Sequence, residues 1–124
     1  MAGVEDLVVP PEELGRLLKK VCGAFEELGL DYIMYGHAGD ANLHARPLLD
    51  PGSHADNRIM RDLMEECFEA TWKMGGSMSG EHGDGRLRAG YVERQYRNTH
   101  ELMKQVKEIY DPKSLLNPGV KIVW

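Results

Sequence analysis

Four residues with chemically versatile side chains stand inside two glycine-rich stretches of this 124-residue sequence. The first stretch, GHAGDANLH, contains His37 and His44, and the second, GGSMSGEHGDGRLR, contains Glu81 and His82. Imidazole nitrogens and carboxylate oxygens bind divalent metal ions, and imidazole also exchanges protons near neutral pH. The sequence therefore offers residues for a metal site, for acid–base chemistry, or for both.

The first stretch is typical of a β-hairpin, because glycine, aspartate and asparagine separate two strand-like runs. Pairing the strands symmetrically about Asp40 and Ala41 places His37 opposite His44. Directly opposed residues share one face of a sheet, with Cβ atoms about 4.5–5.5 Å apart. Two imidazoles at that separation can bind one metal ion. Taken alone, however, a histidine pair in a hairpin is more often structural than catalytic.

Glu81 is the candidate for a third ligand of the same ion. Two histidines and one carboxylate with vacant positions are typical of catalytic zinc and of non-haem iron sites. His82 follows directly, so extended backbone would point its side chain away from the metal, where it can face a substrate as a general base. Arg86 and Arg88 supply positive charge for a substrate carboxylate, and Arg88 is the better candidate.

The elements that must position these residues are strands and amphipathic helices. We expect a strand at 4–10, a helix at 11–30, strands at 31–39 and 42–49, a loop at 50–57, a helix at 58–75, a third helix at 98–110 and an extended tail. Apolar residues recur at three- and four-residue steps in the first two helices. Two helices on one face of a small antiparallel or mixed sheet is the economical packing, so we predict an α+β sandwich close to a ferredoxin-like fold.

Composition excludes several classes of function. The apolar fraction of 42% and the charged fraction of 28% indicate one folded domain. A formal charge of −5 and the lack of a basic stripe argue against a nucleic-acid partner. The sequence contains no signal peptide and no long apolar run. Cys22 and Cys67 lack C-x-x-C spacing, and we expect buried free thiols in a reducing compartment.

Both glycine-rich stretches resemble motifs of a known enzyme family. GHAGDANLH resembles the Gly-His-x-Gly-Asp-Gly-Asn-x-His motif of FAD-linked oxidases of the vanillyl-alcohol oxidase type, in the branch of D-lactate dehydrogenase, D-2-hydroxyglutarate dehydrogenase and the glycolate oxidase flavin subunit. GGSMSGEHGDGRLR resembles that branch's Gly-x-x-x-x-Glu-His-Gly-x-Gly motif followed by a basic residue. YDPKSLLNPGVKI is similar to its Phe-Asp-Pro…Leu-Asn-Pro-Gly-Lys signature, and VEDLVVP to the strand that opens the second half of its substrate domain.

The resemblance implies oxidation of a 2-hydroxy acid by hydride transfer to bound FAD. It implies that His37, His44 and Glu81 hold a divalent, zinc-like ion, which polarises the substrate hydroxyl and helps to fix its carboxylate. It implies that His82 is the base. It also implies that Asn117 lies near the flavin, where the tail of the chain returns to the FAD-binding domain.

The resemblance further implies that the chain is the carboxy-terminal part of such an enzyme. We expect residues 1–109 to be part of the substrate (cap) domain and residues 110–124 to be the tail that returns to an FAD-binding domain absent from this sequence. Alone, the chain is expected to be inactive and to self-associate through exposed sheet edges. Expected partners are a 2-hydroxy acid, the FAD-binding domain, and an electron acceptor or iron–sulfur protein. The expected location is the cytoplasm, or the membrane periphery through a partner.

Two positions depart from the family pattern. Ala41 stands where the motif has glycine, which costs about 1 kcal/mol if the position needs a positive φ, or changes the turn type. Arg46 stands where hydroxyglutarate-type members carry a substrate-binding asparagine. This difference favours a substrate of the D-lactate or glycolate type, while the particular acid, the metal and the electron acceptor stay open.

Two other functions stay open at this point. The chain can be a non-catalytic binding or subunit module that retains the fold, which a short gene without an upstream flavin domain would favour. It can also be a freestanding metal-dependent hydrolase, in which a metal-bound water with a pKa near 7 attacks an ester or phosphate. Hydrolysis by the purified chain without flavin would favour the hydrolase, although the sequence offers no recognisable leaving-group apparatus.

Overall fold

The structure is a computed structural model that describes residues 2–123. The chain forms two compact units, residues 1–82 and residues 83–124. A three-stranded antiparallel sheet and two α-helices lie in the first unit, and a third α-helix lies in the second. This combination confirms the predicted α+β class. The predicted boundary between residues 109 and 110 separates a part of the substrate domain from the returning tail. It does not coincide with the boundary between the two units and stays a prediction.

The first unit contains three strands and two α-helices. Its elements are β1 (Glu5–Val8), α1 (Leu14–Glu27), β2 (Tyr32–His37), β3 (Asn42–Pro47) and α2 (His54–Lys73). The strand order is β1-β3-β2, so the central strand is β3. A turn of 3₁₀ helix at Pro11–Glu13 leads into α1, where proline's fixed φ suits the first helical position.

Apolar side chains from α1 and α2 pack against one face of the sheet. Successive residues of a strand point to opposite faces, so β3 directs Leu43 and Ala45 towards the helices and His44 to the other side. The fully buried apolar side chains of the helices include Leu17, Val21, Phe25, Cys67 and Phe68. Burial of each large side chain stabilises the fold by about 1.5–3 kcal/mol. The core therefore lies on the face of Leu43 and Ala45, and the helices do not cover the face that carries His44.

The predicted helix boundaries need two corrections. Helix α2 begins at His54 instead of residue 58, because the Ser53 hydroxyl accepts a hydrogen bond from the Asp56 N–H and caps the helix. The predicted loop is shortened accordingly. The third helix, α3 (Val92–Tyr110), begins before the predicted residue 98 and contains a kink at Arg97.

The predicted register of the hairpin is wrong. His37 pairs with Asn42, and Tyr35 pairs with His44. The cause is the loop, which contains a 3₁₀ turn at Ala38–Asp40 and is longer than the two-residue turn that we expected. The observed pairing differs from the predicted one by two residues. Since side chains alternate between the faces of a strand with a period of two, His37 and His44 still share one face.

Three further expectations concern exposure. Both cysteines are free, but only Cys67 is buried, whereas Cys22 is partly exposed. Burial raises the pKa of the Cys67 thiol to about 12.

Strand β2 is an edge of the sheet and leaves Ile33 and Tyr35 about half exposed. Self-association through this edge stays a prediction. Within residues 2–123, the helices are too short or too polar to cross a membrane.

Gly36 provides a test of the hairpin geometry. A Cβ at this position would lie 2.2 Å from the Asn42 carbonyl oxygen, and the residue has a φ of +151°. We expect Gly36→Ala to lower the free energy of unfolding by about 1–3 kcal/mol, because neither backbone can move without disturbing the strand pair. Denaturant unfolding followed by circular dichroism measures this change.

The matched control is Gly39→Ala in the same hairpin. A Cβ there meets nothing within 4 Å, and the residue has no positive φ. The free energy of unfolding should change by less than about 1 kcal/mol. Equal losses in the two variants would contradict the observed β2–β3 pairing.

Candidate metal and acid–base site

Three histidine rings surround the Glu81 carboxylate on the exposed face of the sheet. Glu81 Oε1 lies 3.0 Å from His37 Nε2, 3.1 Å from His44 Nε2 and 3.7 Å from His82 Nε2. The side chain of His44 is 3% exposed, whereas those of His37 and Glu81 are 56% and 49% exposed. The hairpin and the second glycine-rich stretch therefore meet, with His37 and His44 both beside Glu81, while their role as metal ligands stays a prediction.

The His82 side chain lies in the same cluster. Its ring stacks on that of His44, with ring centroids 4.8 Å apart and an angle of 7° between the planes. The expectation that His82 points away from the partners of Glu81 is therefore wrong. The cause is the backbone of residues 80–82, which is bent instead of extended, so consecutive side chains need not alternate.

Strand β1 guides the second glycine-rich stretch to the hairpin. The Ser77 N–H donates to the Val8 carbonyl at 2.8 Å, and the Val8 N–H donates to the Ser77 carbonyl at 3.0 Å. A Cβ on Gly76 would lie 2.2 Å from the Val8 carbonyl oxygen, so glycine permits this approach. The chain after α2 is thus fixed beside β1 before it reaches Glu81.

Asp6 is a site residue that the sequence reasoning missed. It lies inside β1, is fully buried, and accepts hydrogen bonds from the N–H groups of Gly80, Glu81 and His82 at 2.9, 3.0 and 2.9 Å. Burial alone would raise the pKa of Asp6, but these bonds outweigh burial and lower the pKa. The available signal was the aspartate itself, because aspartate is depleted in strands.

The cluster contains a donor set that fits a divalent cation. Two imidazole nitrogens, from His37 and His44, and one carboxylate oxygen, from Glu81, lie close enough to share an ion. The ligand atoms of Asp6, His44, Glu81 and His82 also lie within 4.8 Å of one another. The Asp6 oxygens, however, already accept backbone N–H groups. His37 is therefore a better third ligand than Asp6.

Two buried atoms at this site, His44 Nδ1 and Asn42 Oδ1, have no hydrogen-bond partner among residues 2–123. Metal-binding histidines usually donate their other ring N–H to a carboxylate, a carbonyl or water, which fixes the ring orientation. Here the stacked His82 ring and the edge of the His37 ring constrain the orientation of His44 instead.

The predicted substrate-binding arginines lie in the second unit, where they make internal contacts. Arg86 Nη1 donates to the Pro118 carbonyl at 2.7 Å. Arg88 is buried, and its Nη1 donates to the Gly83 carbonyl at 2.9 Å. These bonds organise the unit, and the role of both arginines in substrate binding stays a prediction.

Asn117, the predicted flavin-side residue, lies in the tail of the second unit. It has a positive φ of 45°, a conformation that asparagine tolerates better than most residues. It lines an open cavity of about 580 Å³ between the tail and α3. Apolar side chains supply most of this lining, including Leu102, Val106, Tyr110, Leu116 and Ile122. Its proximity to a flavin stays a prediction.

Asp111 holds the turn that precedes Asn117. Its carboxylate accepts the N–H groups of Leu115 and Leu116, each at 2.8 Å, and binds the Lys107 ammonium. The bond from Lys107, followed by those from the two amides, holds the pKa of Asp111 below its usual value against the opposing effect of burial. The turn is therefore stabilised by the charged form of this side chain.

The pH dependence of this turn follows from the direction of the shift. We expect Asp111→Asn to accelerate hydrogen exchange at Leu115 and Leu116 about fivefold or more at neutral pH. A lowered folded-state pKa gives protection that is complete above the unfolded pKa of about 3.9 and is lost as the pH falls through the folded value. Protection factors from NMR, corrected for intrinsic exchange, should therefore converge with those of the wild type in acid.

Glu108→Gln is the control, since it removes one negative charge from the exposed surface of α3, the helix that ends just before Asp111. It should leave the exchange of Leu115 and Leu116 unchanged at every pH. Equal acceleration in both variants would show that net charge, and not the Asp111 hydrogen bonds, protects the turn.

Comparisons with known proteins agree with these motifs. The family model for FAD linked oxidases, C-terminal domain, matches residues 1–120. D-lactate dehydrogenase of Archaeoglobus fulgidus is 35% identical over 116 residues, which are 94% of this chain and 26% of the relative. Glycolate oxidase subunit GlcD of Bacillus subtilis is 32% identical over 117 residues, which are 94% of this chain and 25% of the relative.

D-2-hydroxyglutarate dehydrogenase of Haemophilus influenzae is also similar, with 36% identity over 118 residues, which are 94% of this chain and 11% of the relative. The chain thus spans about a quarter of the length of the first two relatives and about a tenth of the third. Since the family model covers nearly the whole sequence, the chain belongs to the C-terminal domain family of the FAD-linked oxidases.

Proposed function

We propose that this chain supplies the substrate-oxidising residues of an FAD-dependent dehydrogenase or oxidase that acts on a 2-hydroxy acid of the D-lactate or glycolate type. Membership of the FAD-linked oxidase family supports an oxidoreductase. The observation that carries the finer proposal is the convergence of His37, His44 and His82 on the Glu81 carboxylate.

His37, His44 and Glu81 are the proposed ligands of a divalent, zinc-like ion. Such an ion, when bound, supplies a Lewis acid that polarises the substrate hydroxyl. Glu81 is anchored through its backbone N–H by Asp6, and His44 is buried, so two of the three ligands are held in place by the fold. His37 lies at the end of β2 and is more exposed.

His82 is the proposed base. Oxidation of a 2-hydroxy acid removes a hydride from C2 and a proton from the hydroxyl, and leaves a 2-oxo acid. His82 takes the proton at a ring nitrogen, while the FAD of such enzymes supplies the hydride acceptor. The His82 side chain is 38% exposed, so a substrate can reach it, and its Nδ1 lies 3.8 Å from Glu5 Oε1.

The surroundings of Arg46 support a small substrate. Arg46 Nε donates to Glu5 Oε2 at 2.6 Å, and its guanidinium carbon lies 6.0 Å from the centre of the Tyr35 ring. Glu5 offsets most of the arginine charge, so less of it is available for a second substrate carboxylate. A monocarboxylic acid of the D-lactate or glycolate type meets this condition better than a dicarboxylic acid.

The second unit completes the proposal. Arg88, with Arg86 as the second candidate, binds the substrate carboxylate, and Asn117 lies on the side of the flavin. A C-terminal domain of this family requires an FAD-binding domain as partner. An electron acceptor, such as an iron–sulfur protein, then reoxidises the flavin.

Metal content tests the ligand assignment. After dialysis against zinc and removal of the free ion, the wild-type chain should contain about one equivalent of metal by elemental analysis. Glu81→Gln and His44→Ala should contain almost none, because each loses one of three ligands. Circular dichroism checks that both variants are folded.

His54→Ala is the control for metal content, since His54 is an exposed residue at the start of α2. It should bind as much zinc as the wild type. Stoichiometric zinc in all four proteins would contradict the ligand set.

Activity tests the assignment of the hairpin histidines. In the enzyme that contains this chain, His37→Ala should lower kcat/KM for D-lactate or glycolate by about 10–100-fold or more, because a ligand of the substrate-polarising ion is lost. The rate of reduction of a dye acceptor measures this effect. The same assay on His54→Ala should give nearly the wild-type value, and equal losses would refute the role of His37.

A further inference from the structure

We propose that Asp6 is a positioning residue of this site, which sets the directions of the Glu81 and His82 side chains by holding their backbone N–H groups. The chemical meaning of this inference rests on the proposed function, since Glu81 is there a metal ligand and His82 the base. The hydrogen-bond geometry that supports it can be tested without metal, flavin or substrate.

The first observation is the convergence of three consecutive N–H groups on one carboxylate. Gly80 and His82 donate to Asp6 Oδ2, each at 2.9 Å, and Glu81 donates to Oδ1 at 3.0 Å. Consecutive N–H groups that point inwards form an anion-binding concavity, and here a side chain of the same chain occupies it. Hydrogen bonds to an ionised acceptor are about twice as strong as neutral ones.

The second observation is that the carboxylate has no capacity left for a cation. Besides the three amides, the Ser79 hydroxyl donates to Asp6 Oδ2 at 3.0 Å, and Asn42 Nδ2 donates to Oδ1 at 3.2 Å. A carboxylate offers about four lone-pair positions, and these donors fill them. Asp6 therefore anchors the cluster and is not one of its ligands.

The third observation is the backbone of Asp6 itself. It is the extra residue of β1 between Glu5, which pairs with His44, and Leu7, which pairs with Leu43. It adopts a φ of 76°, a conformation that costs about 1 kcal/mol or more outside glycine. Packing of β1 against the core does not require this bulge. Bulges and strained backbone conformations of this kind are typical of functional sites.

The fourth observation is that the turn is bonded to β1 at Asp6 alone among the bonds of its N–H groups described for residues 2–123: besides the carboxylate, the Asp6 main-chain carbonyl accepts the Gly80 N–H at 3.0 Å. Residues 80–82 lie in bends, outside any helix or strand of the described chain. The side chains of Glu81 and His82 are 49% and 38% exposed, so core packing does not fix their directions. The bonds to Asp6 thus fix the backbone from which both side chains reach His44, and the contacts of Glu81 and His82 with His44 complete their orientation.

Gly80 allows the turn to come this close. A Cβ at Gly80 would lie 2.7 Å from Asn42 Nδ2 and 3.2 Å from Asp6 Oδ1. Gly80→Ala therefore separates the turn from Asp6 without changing the carboxylate. Asp6→Asn changes the carboxylate itself, and Gly80→Ala changes the space beside it. The two substitutions therefore perturb the same anchor in different ways.

The experiment compares Asp6→Asn and Gly80→Ala with a matched control, Asp50→Asn. Asp50 Oδ1 also accepts a backbone N–H, from Gly52 at 2.8 Å, but in the loop before α2. In ¹H–¹⁵N NMR spectra of the metal-free chain, the first two variants should shift the amide signals of residues 80–82 and the ring signals of His44 and His82. The control should leave all of these signals in place.

Zinc affinity provides the second readout. Competition with a chromophoric chelator should show binding about 10–100-fold weaker in Asp6→Asn and Gly80→Ala, and unchanged in Asp50→Asn. A purely structural role for Asp6 would lower the unfolding temperature without moving the folded-state signals or the zinc affinity. If Asp6→Asn does not fold, Gly80→Ala decides the question.

Folded variants with wild-type amide and ring signals would overturn the inference. Shifted signals with unchanged zinc affinity would overturn the claim that the anchor serves Glu81. If the wild-type chain binds no zinc at all, the proposed metal site fails, and the amide and ring signals alone then decide whether Asp6 positions the turn.

Discussion

A buried negative charge imposes the strongest constraint on the first unit. A carboxylate that is removed from water must be surrounded by donors, because an unpaired buried charge costs several kcal/mol or more. The donors around Asp6 come from the hairpin, through Asn42, and from the turn that contains Gly80 and Glu81. Satisfying this one charge therefore brings three distant segments of the chain together. The His–Glu cluster lies on the outer side of that junction, and its geometry depends on the junction.

The sequence predicted the parts of this arrangement that depend on residue type and period. Apolar spacing predicted α1 and the core of α2, and the two glycine-rich stretches predicted that His37, His44 and Glu81 lie together, but not that His82 joins them. It missed the start of α2 because the cap of Ser53 is a local hydrogen bond within a polar segment that also fits a loop. It missed Asp6 because the partners of that residue are backbone amides more than seventy positions away, and backbone groups leave no pattern in a sequence.

The hairpin shows why His37 and His44 share one face although the predicted register is wrong. Ala41 occupies the glycine position of the motif and adopts a left-handed φ of 50°, at a cost of about 1 kcal/mol. The longer loop that this residue closes shifts the strand pairing by two positions. A shift of one would have moved His37 to the core face, where Gly36 now lies against the Asn42 carbonyl. Because the register shifts by an even number of residues, His37 and His44 stay on the same face of the sheet.

The exposure of the cluster differs between the residues proposed to bind a metal ion and the residue proposed as base. His44 is buried and lies beneath the half-exposed Glu81 and His37, so the inner side of the cluster is rigid and the outer side is open to a ligand. A metal site needs ligands held in place before the ion arrives, which the buried ring and the anchored Glu81 backbone provide. A base needs access to its substrate, which the partly exposed His82 has. Stacking of His82 on His44 places the proposed base directly beside a proposed metal ligand.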